Sequence, residues 1–399
     1  MNQTQDHDNA PIHQVYLIPG FFGFSTLGGL SYFRQINETL QRVFGASGQR
    51  VEIIGVKTLP SASIVHRARM LLTTVLEHGG DEPGVHVHFV GHSTGALDAR
   101  LVAHLGTQLG RDRAQRAVVA NLRTVVSVAG AHRGTPLANF FITLYGKNLM
   151  VLVTLLIIAG MWRKPIVLVG GLIGMMGKIN GLLGLDETLM HQITNQLLKD
   201  FTPTAEAEVR QFLRSIVEDQ GTLLQLTPEG MDLFNATTPD NPDVRYVSWA
   251  TAAPEPSKII KNLSLRHALT PLNKVLYSLL WTGTSRAHPG YPYHPPVDAV
   301  DAVAGTPLPF ELTPRTSDGV VPTLSQVWGE FRGIVQADHL DVIGHYLRGP
   351  FDTQSGADWF GSGAKFDRAS FEWLWEDVAH VLLEAAEGVF KVEATPPTT

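Results

Sequence analysis

Val85-His86-Val87-His88-Phe89-Val90-Gly91-His92-Ser93-Thr94-Gly95 runs from an apolar stretch into Gly-x-Ser-x-Gly. Residues 85–90 predict a buried strand, and the helical pattern from Thr94 to Leu105 follows it directly. Gly91 and Gly95 permit a sharp strand-to-helix turn that holds Ser93 in strained geometry, its hydroxyl presented above the sheet as a nucleophile. N–H groups opening the helix then lie close to where a negative oxygen would form during attack. A Gly/Ser turn with no chemistry is the plainer reading of five residues. The strand before and the helix after favour the reactive one.

Working outward, Val15–Ile18, Arg50–Val56 and Leu122–Val128 are further strand candidates, with helices predicted near Ser31–Phe44 and Ser61–His78. Short apolar strands alternating with helices predict an α/β chain with a mostly parallel central sheet covered on both faces. The rhythm stops at Pro136, and from there to about Pro228 the chain reads as helices, including the amphipathic Glu206–Val217. Strand character returns at Val244–Trp249 and Phe331–Gln336, and a last helix is expected over about Ser370–Val389. The expected organisation is one domain over 11–390, interrupted by a helical insertion at 137–228. Residues 1–10 and 393–399 read as flexible polar tails.

Lys and Arg number 31 against 37 Asp and Glu, giving a formal charge of −6 with no basic block, so nucleic acid is not an expected partner. The absence of cysteine excludes a disulfide scaffold, a thiolate metal site and a thiol nucleophile. Charged residues make up only 17% of the chain, where about 25% is usual. Part of that shortfall lies in two apolar runs, 149–162 and 166–177, separated by Arg163-Lys164-Pro165. Neither run approaches the roughly 20 residues a spanning helix needs, and Pro165 breaks any helix joining them. Contact with a lipid interface is the favoured reading of 149–177, over a buried helix pair or a membrane segment. The N-terminus shows no basic region and no apolar region of a cleavable signal, which points to a cytoplasmic or peripherally membrane-associated location.

A serine nucleophile needs a base and an orienting carboxylate, which in this kind of sheet follow it in the order Ser, acid, His. Ser317-Asp318-Gly319 and Asp338-His339-Leu340-Asp341 supply Asp318 and His339, both in segments expected at strand ends. Asp318 could instead be a plain Asp-Gly turn former and His339 a surface histidine. His345, and Asp298 or Asp301, stand in reserve. In Pro19-Gly20-Phe21-Phe22-Gly23, after the first strand, glycines let the backbone approach a substrate. The Phe21 and Thr94 amides are the expected oxyanion donors.

PGFFG, GHSTGALDAR, VAGAHRGTPLA, LTPEGMDLFN, RYVSWA, SDGVVP and DHLD together resemble the bacterial triacylglycerol lipases of the true-lipase family, the Pseudomonas and Burkholderia type. The matching segments extend from about residue 15 to 345 in the family's order. The resemblance implies an α/β-hydrolase fold, Ser93, Asp318 and His339 as the catalytic triad, and a helical lid after GTPLA. It implies lipid-ester cleavage without a cofactor for the chemistry, and a structural calcium with Asp341 as one ligand and Asp298 or Asp301 as another. Two departures stand out: Pro19-Gly20 replaces the family's His-Gly, and the relatives' disulfide has no counterpart in a cysteine-free chain. An acyltransferase or phospholipase using the same triad, and a non-catalytic membrane-associated module, are the competing readings.

Overall fold

The computed structural model describes residues 11–21, 26–27, 30–142, 202–218, 221–256, 272–286, 308–346 and 358–386, with isolated positions between 154 and 199. The expected tails, nearly all of the 149–177 tract, Asp298 and Asp301 lie outside the described residues.

Six strands, β1 (Ile12–Ile18), β4 (Arg50–Gly55), β5 (Val85–His92), β6 (Leu122–Val128), β7 (Arg245–Ala252) and β8 (Glu330–Gln336), form one parallel sheet. Its spatial order is β4-β1-β5-β6-β7-β8, so the Gly-x-Ser-x-Gly strand is an inner one. Alternation along β1 shows both faces covered. Val15 and Leu17 join one apolar cluster, while Tyr16 and Ile18 join the other. That double burial is why these strands read as near-continuous apolar runs.

On one face α1 (Ile36–Ala46) buries Ile36, Leu40, Val43 and Phe44, a one-sided helical spacing, beside the C-terminal helix Arg368–Ala386. On the other, α2 (Ile64–Glu77) begins where the Ser63 side chain accepts from the His66 amide, and it buries Ile64, Ala68, Leu71, Leu72 and Val75. With it packs α3 (Gly95–Ala103), the helix that the serine turn opens, every residue of which is buried.

One expectation is corrected and two helices are added. The helix expected from Ser31 starts at Ile36, because a short antiparallel pair, β2 (Thr26–Leu27) and β3 (Leu30–Ser31), precedes it and Gln35 turns the chain at φ +62°. Two helices carry no clear signal: α4 (Asp112–Asn121), which buries only Gln115, Val118 and Val119, and Leu272–Thr284, which ends in β-branched residues and glycine. Between Pro136 and Pro228 the described residues include α5 (Pro136–Phe141), α6 (Pro203–Glu218) and α7 (Gly221–Gln225). No described helix is long and apolar enough to cross a membrane.

Candidate active site

Parallel strands bring their C-terminal ends to one edge, where loops carry chemistry. Ser93 follows β5 there with φ +56°, a left-handed conformation that a non-glycine residue holds only under constraint. The constraint is close packing. A Cβ on Gly95 would meet the Ile18 carbonyl oxygen at 2.2 Å, and one on Gly91 would meet the Ala96 nitrogen at 2.3 Å. Only glycine on both sides lets β5 turn into α3 this tightly. The Ser93 amide is tied to the Val128 carbonyl at 3.1 Å.

Asp318 lies on a loop drawn onto the end of β7, where the Ala253 amide donates to the Ser317 carbonyl at 3.0 Å. Its fully buried carboxylate accepts five hydrogen bonds. The Val320 and Val321 amides reach Oδ1 at 2.9 and 2.8 Å, and the Thr251 hydroxyl and Gln326 amide reach Oδ2 at 2.8 and 3.1 Å. The fifth donor is His339 Nδ1, 2.6 Å from Oδ2. Because Oδ2 is an acceptor, Nδ1 carries the proton and Nε2 is left bare, the form a general base needs. Ser93 and His339 line one pocket without a hydrogen bond between them. Contacts of this kind tighten when substrate binds. His345, the reserve base, is engaged elsewhere: its Nε2 donates to the Tyr32 carbonyl at 2.9 Å and its ring stacks on Trp359.

Phe21 lines the same pocket, and Thr94 is the N-cap residue of α3, where helix amides have no helical acceptor. Gly20 brings the loop against the serine, since a Cβ there would lie 2.6 Å from Ser93 Cβ. Arg67 anchors the loop from below. Its guanidinium is fully buried and donates to the Pro19 carbonyl at 2.6 Å and the Leu59 carbonyl at 2.7 Å, and pairs with Asp98 at 2.8 Å. Burial pushes the Asp98 carboxyl up to about 6, against the opposing pull of Arg67. The pocket has a cavity volume of about 80 Å³, with walls of Leu137, Phe141, Leu223, Leu226, Leu280 and Phe360. Leu137, Phe141, Leu223 and Leu226 come from the two ends of the 137–228 segment, and Ser93 and His339 sit in an almost wholly apolar chamber.

Beside His339, the fold collects Asp338, Asp341 and Asp358, one oxygen of each lying within 4.8 Å of the others. Asp298 and Asp301, expected as partners of Asp341, lie outside the described residues, and Asp358 was not named from the sequence. Its distance in sequence hides it, and it enters only because the 358–364 turn folds back, with Ser362 donating to Asp338 at 2.7 Å. Desolvation raises all three carboxyls, Asp338 to about 7, and neighbouring carboxylates add to the effect at Asp338 and Asp341.

A strained serine above a parallel sheet, a carboxylate-oriented histidine and an amide-bearing loop beside them define the α/β-hydrolase class of serine hydrolases. No family model matches the chain. A triacylglycerol lipase of Pseudomonas fragi is 25% identical over 351 residues, covering 84% of this chain and 89% of that enzyme. A triacylglycerol lipase of Vibrio cholerae is 28% identical over 127 residues, and that match spans only 35% of the Vibrio enzyme. Among solved structures, lipase 1 from Pelosinus fermentans superposes with a TM-score of 0.53 at 15% identity, covering 92% of this chain and 99% of the other. Staphylococcus hyicus lipase gives 0.51 at 15% identity, covering 98% and 99%. The chain thus has the α/β-hydrolase fold, and the proteins it resembles in sequence are bacterial triacylglycerol lipases, in agreement with the motif resemblance.

Proposed function

We propose that the chain is a carboxylic ester hydrolase that cleaves lipid esters, triacylglycerols among them, through Ser93, His339 and Asp318. One observation carries this: Ser93 and the Asp318-oriented His339 open into a pocket whose other walls are almost wholly apolar. Such a chamber accepts an acyl chain and gives a charged substrate nothing to pair with. The lipase relatives support the same substrate class.

His339 Nε2 takes the Ser93 proton as Oγ attacks the ester carbonyl, and Asp318 stabilises the resulting imidazolium. The Phe21 and Thr94 amides receive the oxyanion, each donor contributing about 2.7–4 kcal/mol. His339 then protonates the leaving alcohol, and water repeats the sequence on the acyl-enzyme. No cofactor takes part in these steps. Residues 137–228 act as a cap whose ends wall the acyl chamber, and the 149–177 tract meets the lipid interface.

The testing experiment is a panel of p-nitrophenyl esters and triacylglycerols of increasing acyl length. Medium or long chains should exceed acetate in kcat/KM by at least about tenfold, as burial of several methylenes predicts. A flat profile, or a preference for acetate, would remove the apolar chamber from the argument.

Asp338, Asp341 and Asp358 offer hard oxygen donors of the kind calcium takes, and burial, which raises all three carboxyls, makes it costly to hold them all ionised. These residues would hold the ion, whose contribution is to stiffen the loop presenting His339. Free of metal, the folded chain binds protons at this cluster more tightly than the unfolded chain. That contribution to stability is complete below the unfolded carboxylate range and is lost as pH rises through about 7. Calcium displaces those protons, so it should raise Tm more at about pH 8 than at about pH 5.5. Thermal melts with CaCl2 or a chelator at both values check this. Equal or absent shifts would strike calcium from the site.

A further inference from the structure

Three hydrogen bonds link the loops that carry the oxyanion amide, the nucleophile and the base. The Gly20 amide donates to Tyr32 Oη at 3.0 Å, Tyr32 Oη lies 2.7 Å from His92 Nδ1, and His92 Nε2 lies 2.8 Å from the His339 carbonyl oxygen. All the polar groups involved are buried. Resting on the triad assignment above, we propose that Tyr32 and His92 are positioning residues, forming one bridge that holds the Phe21 amide in register with Ser93 and His339.

Proton bookkeeping gives the bridge a single direction. The His339 carbonyl can only accept, so His92 Nε2 carries the ring proton and Nδ1 is bare. The Tyr32 hydroxyl must then donate to Nδ1, and its oxygen is free to accept from Gly20. Complete burial and the neighbouring His339 hold the His92 imidazole well below its ordinary pKa, so it stays neutral and the direction persists. One consequence is a division of labour. Tyr32 lines the reaction pocket and its hydroxyl lies near the serine, yet its one proton is committed to His92. It therefore acts on the oxyanion through the Gly20–Phe21 backbone, not by direct donation.

Tyr32 is an effective strut because its own backbone is stitched to the base loop. The Tyr32 carbonyl accepts from His345 Nε2 at 2.9 Å, and the Arg34 amide donates to the Ile343 carbonyl at 3.0 Å. These contacts do not use the hydroxyl. Removing the hydroxyl thus cuts the bridge and leaves the segment in place, which makes the role separable from folding.

Tyr32→Phe and His92→Gln test it, the glutamine retaining an amide N–H that can face the His339 carbonyl. On a dissolved short-chain p-nitrophenyl ester, each should lower kcat about 10–100-fold with KM changed less than about twofold, as expected for misplaced reacting groups. Affinity for a boronic acid that forms a tetrahedral adduct on Ser93 should weaken by the same factor as kcat/KM. A purely structural role would lower Tm without that correspondence. The double variant should lose little more than the worse single variant, because both cut one bridge. Wild-type kcat in folded Tyr32→Phe or His92→Gln, multiplicative losses in the double variant, or unchanged boronate affinity would each overturn the bridge. Ser93→Ala run alongside separates the two failures: an inactive Ser93→Ala with fully active bridge variants sinks the bridge alone, whereas an active Ser93→Ala sinks the triad and the bridge with it.

Discussion

Ser93→Ala should reduce ester hydrolysis by about 10⁶-fold in kcat, the scale seen when a triad nucleophile is removed, and should abolish labelling by a fluorophosphonate. The fold should survive the change. Ser93 is only 4% exposed, but the hydrogen bond its amide donates to the Val128 carbonyl and the clearances around Gly91 and Gly95 do not involve its hydroxyl. Alanine keeps the same Cβ at φ +56°, so Tm should move little. Ser93→Gly makes a sharper comparison. Glycine adopts positive φ without a Cβ penalty, so this inactive variant should be more stable than the parent by up to about 1 kcal/mol. That combination would locate the cost of presenting the nucleophile in the backbone of the turn itself. Hydrolysis by Ser93→Ala at parental rates would end the assignment.

Asp318→Asn should lower kcat about 10⁴-fold while leaving the shape of the residue nearly unchanged. The reason lies in the donors around it. His339 Nδ1, the Gln326 amide and the Thr251 hydroxyl converge on Oδ2, and two backbone amides converge on Oδ1. An asparagine NH2 at either position faces donors with a donor. Set at Oδ2 it drives His339 to the other tautomer, with a proton on Nε2 where the base must be bare. Set at Oδ1 it opposes the Val320 and Val321 amides. In a fully buried site each unmet group costs about 1–3 kcal/mol, so Tm should fall as well. Parallel measurement of kcat and Tm distinguishes the tautomer effect from loss of structure. A variant with a lowered Tm and parental kcat would remove Asp318 from the mechanism.

Much of this site could be read along the chain because its parts are local. Gly91, Ser93 and Gly95 carry the turn in five residues, and a parallel sheet buried on both faces leaves continuous apolar strands that announce themselves. Asp318 and His339 were legible from their order after the serine and from the strand-end segments around them. The short helix Asp112–Asn121 was not, because so little of it is buried that its pattern is weak. The start of α1 was misplaced for a related reason: a four-residue strand pair has no periodicity to detect.

Residues that act through long-range contacts leave no such trace. Tyr32 meets His92 across 60 positions, His92 meets His339 across 247, and Arg67 holds Pro19 across 48. Asp358 joins Asp338 and Asp341 only through a turn that folds back onto them. The sequence by itself determined the class of fold and singled out Ser93, Asp318 and His339 as candidates in that order, since each rests on local geometry or strand periodicity. Tertiary structure alone decided the direction of the Asp318–His339 bond, the Tyr32–His92 bridge, the third carboxylate and the apolar chamber. Those depend on which atoms a closed core brings within hydrogen-bonding distance and away from water, and no spacing along the chain encodes that.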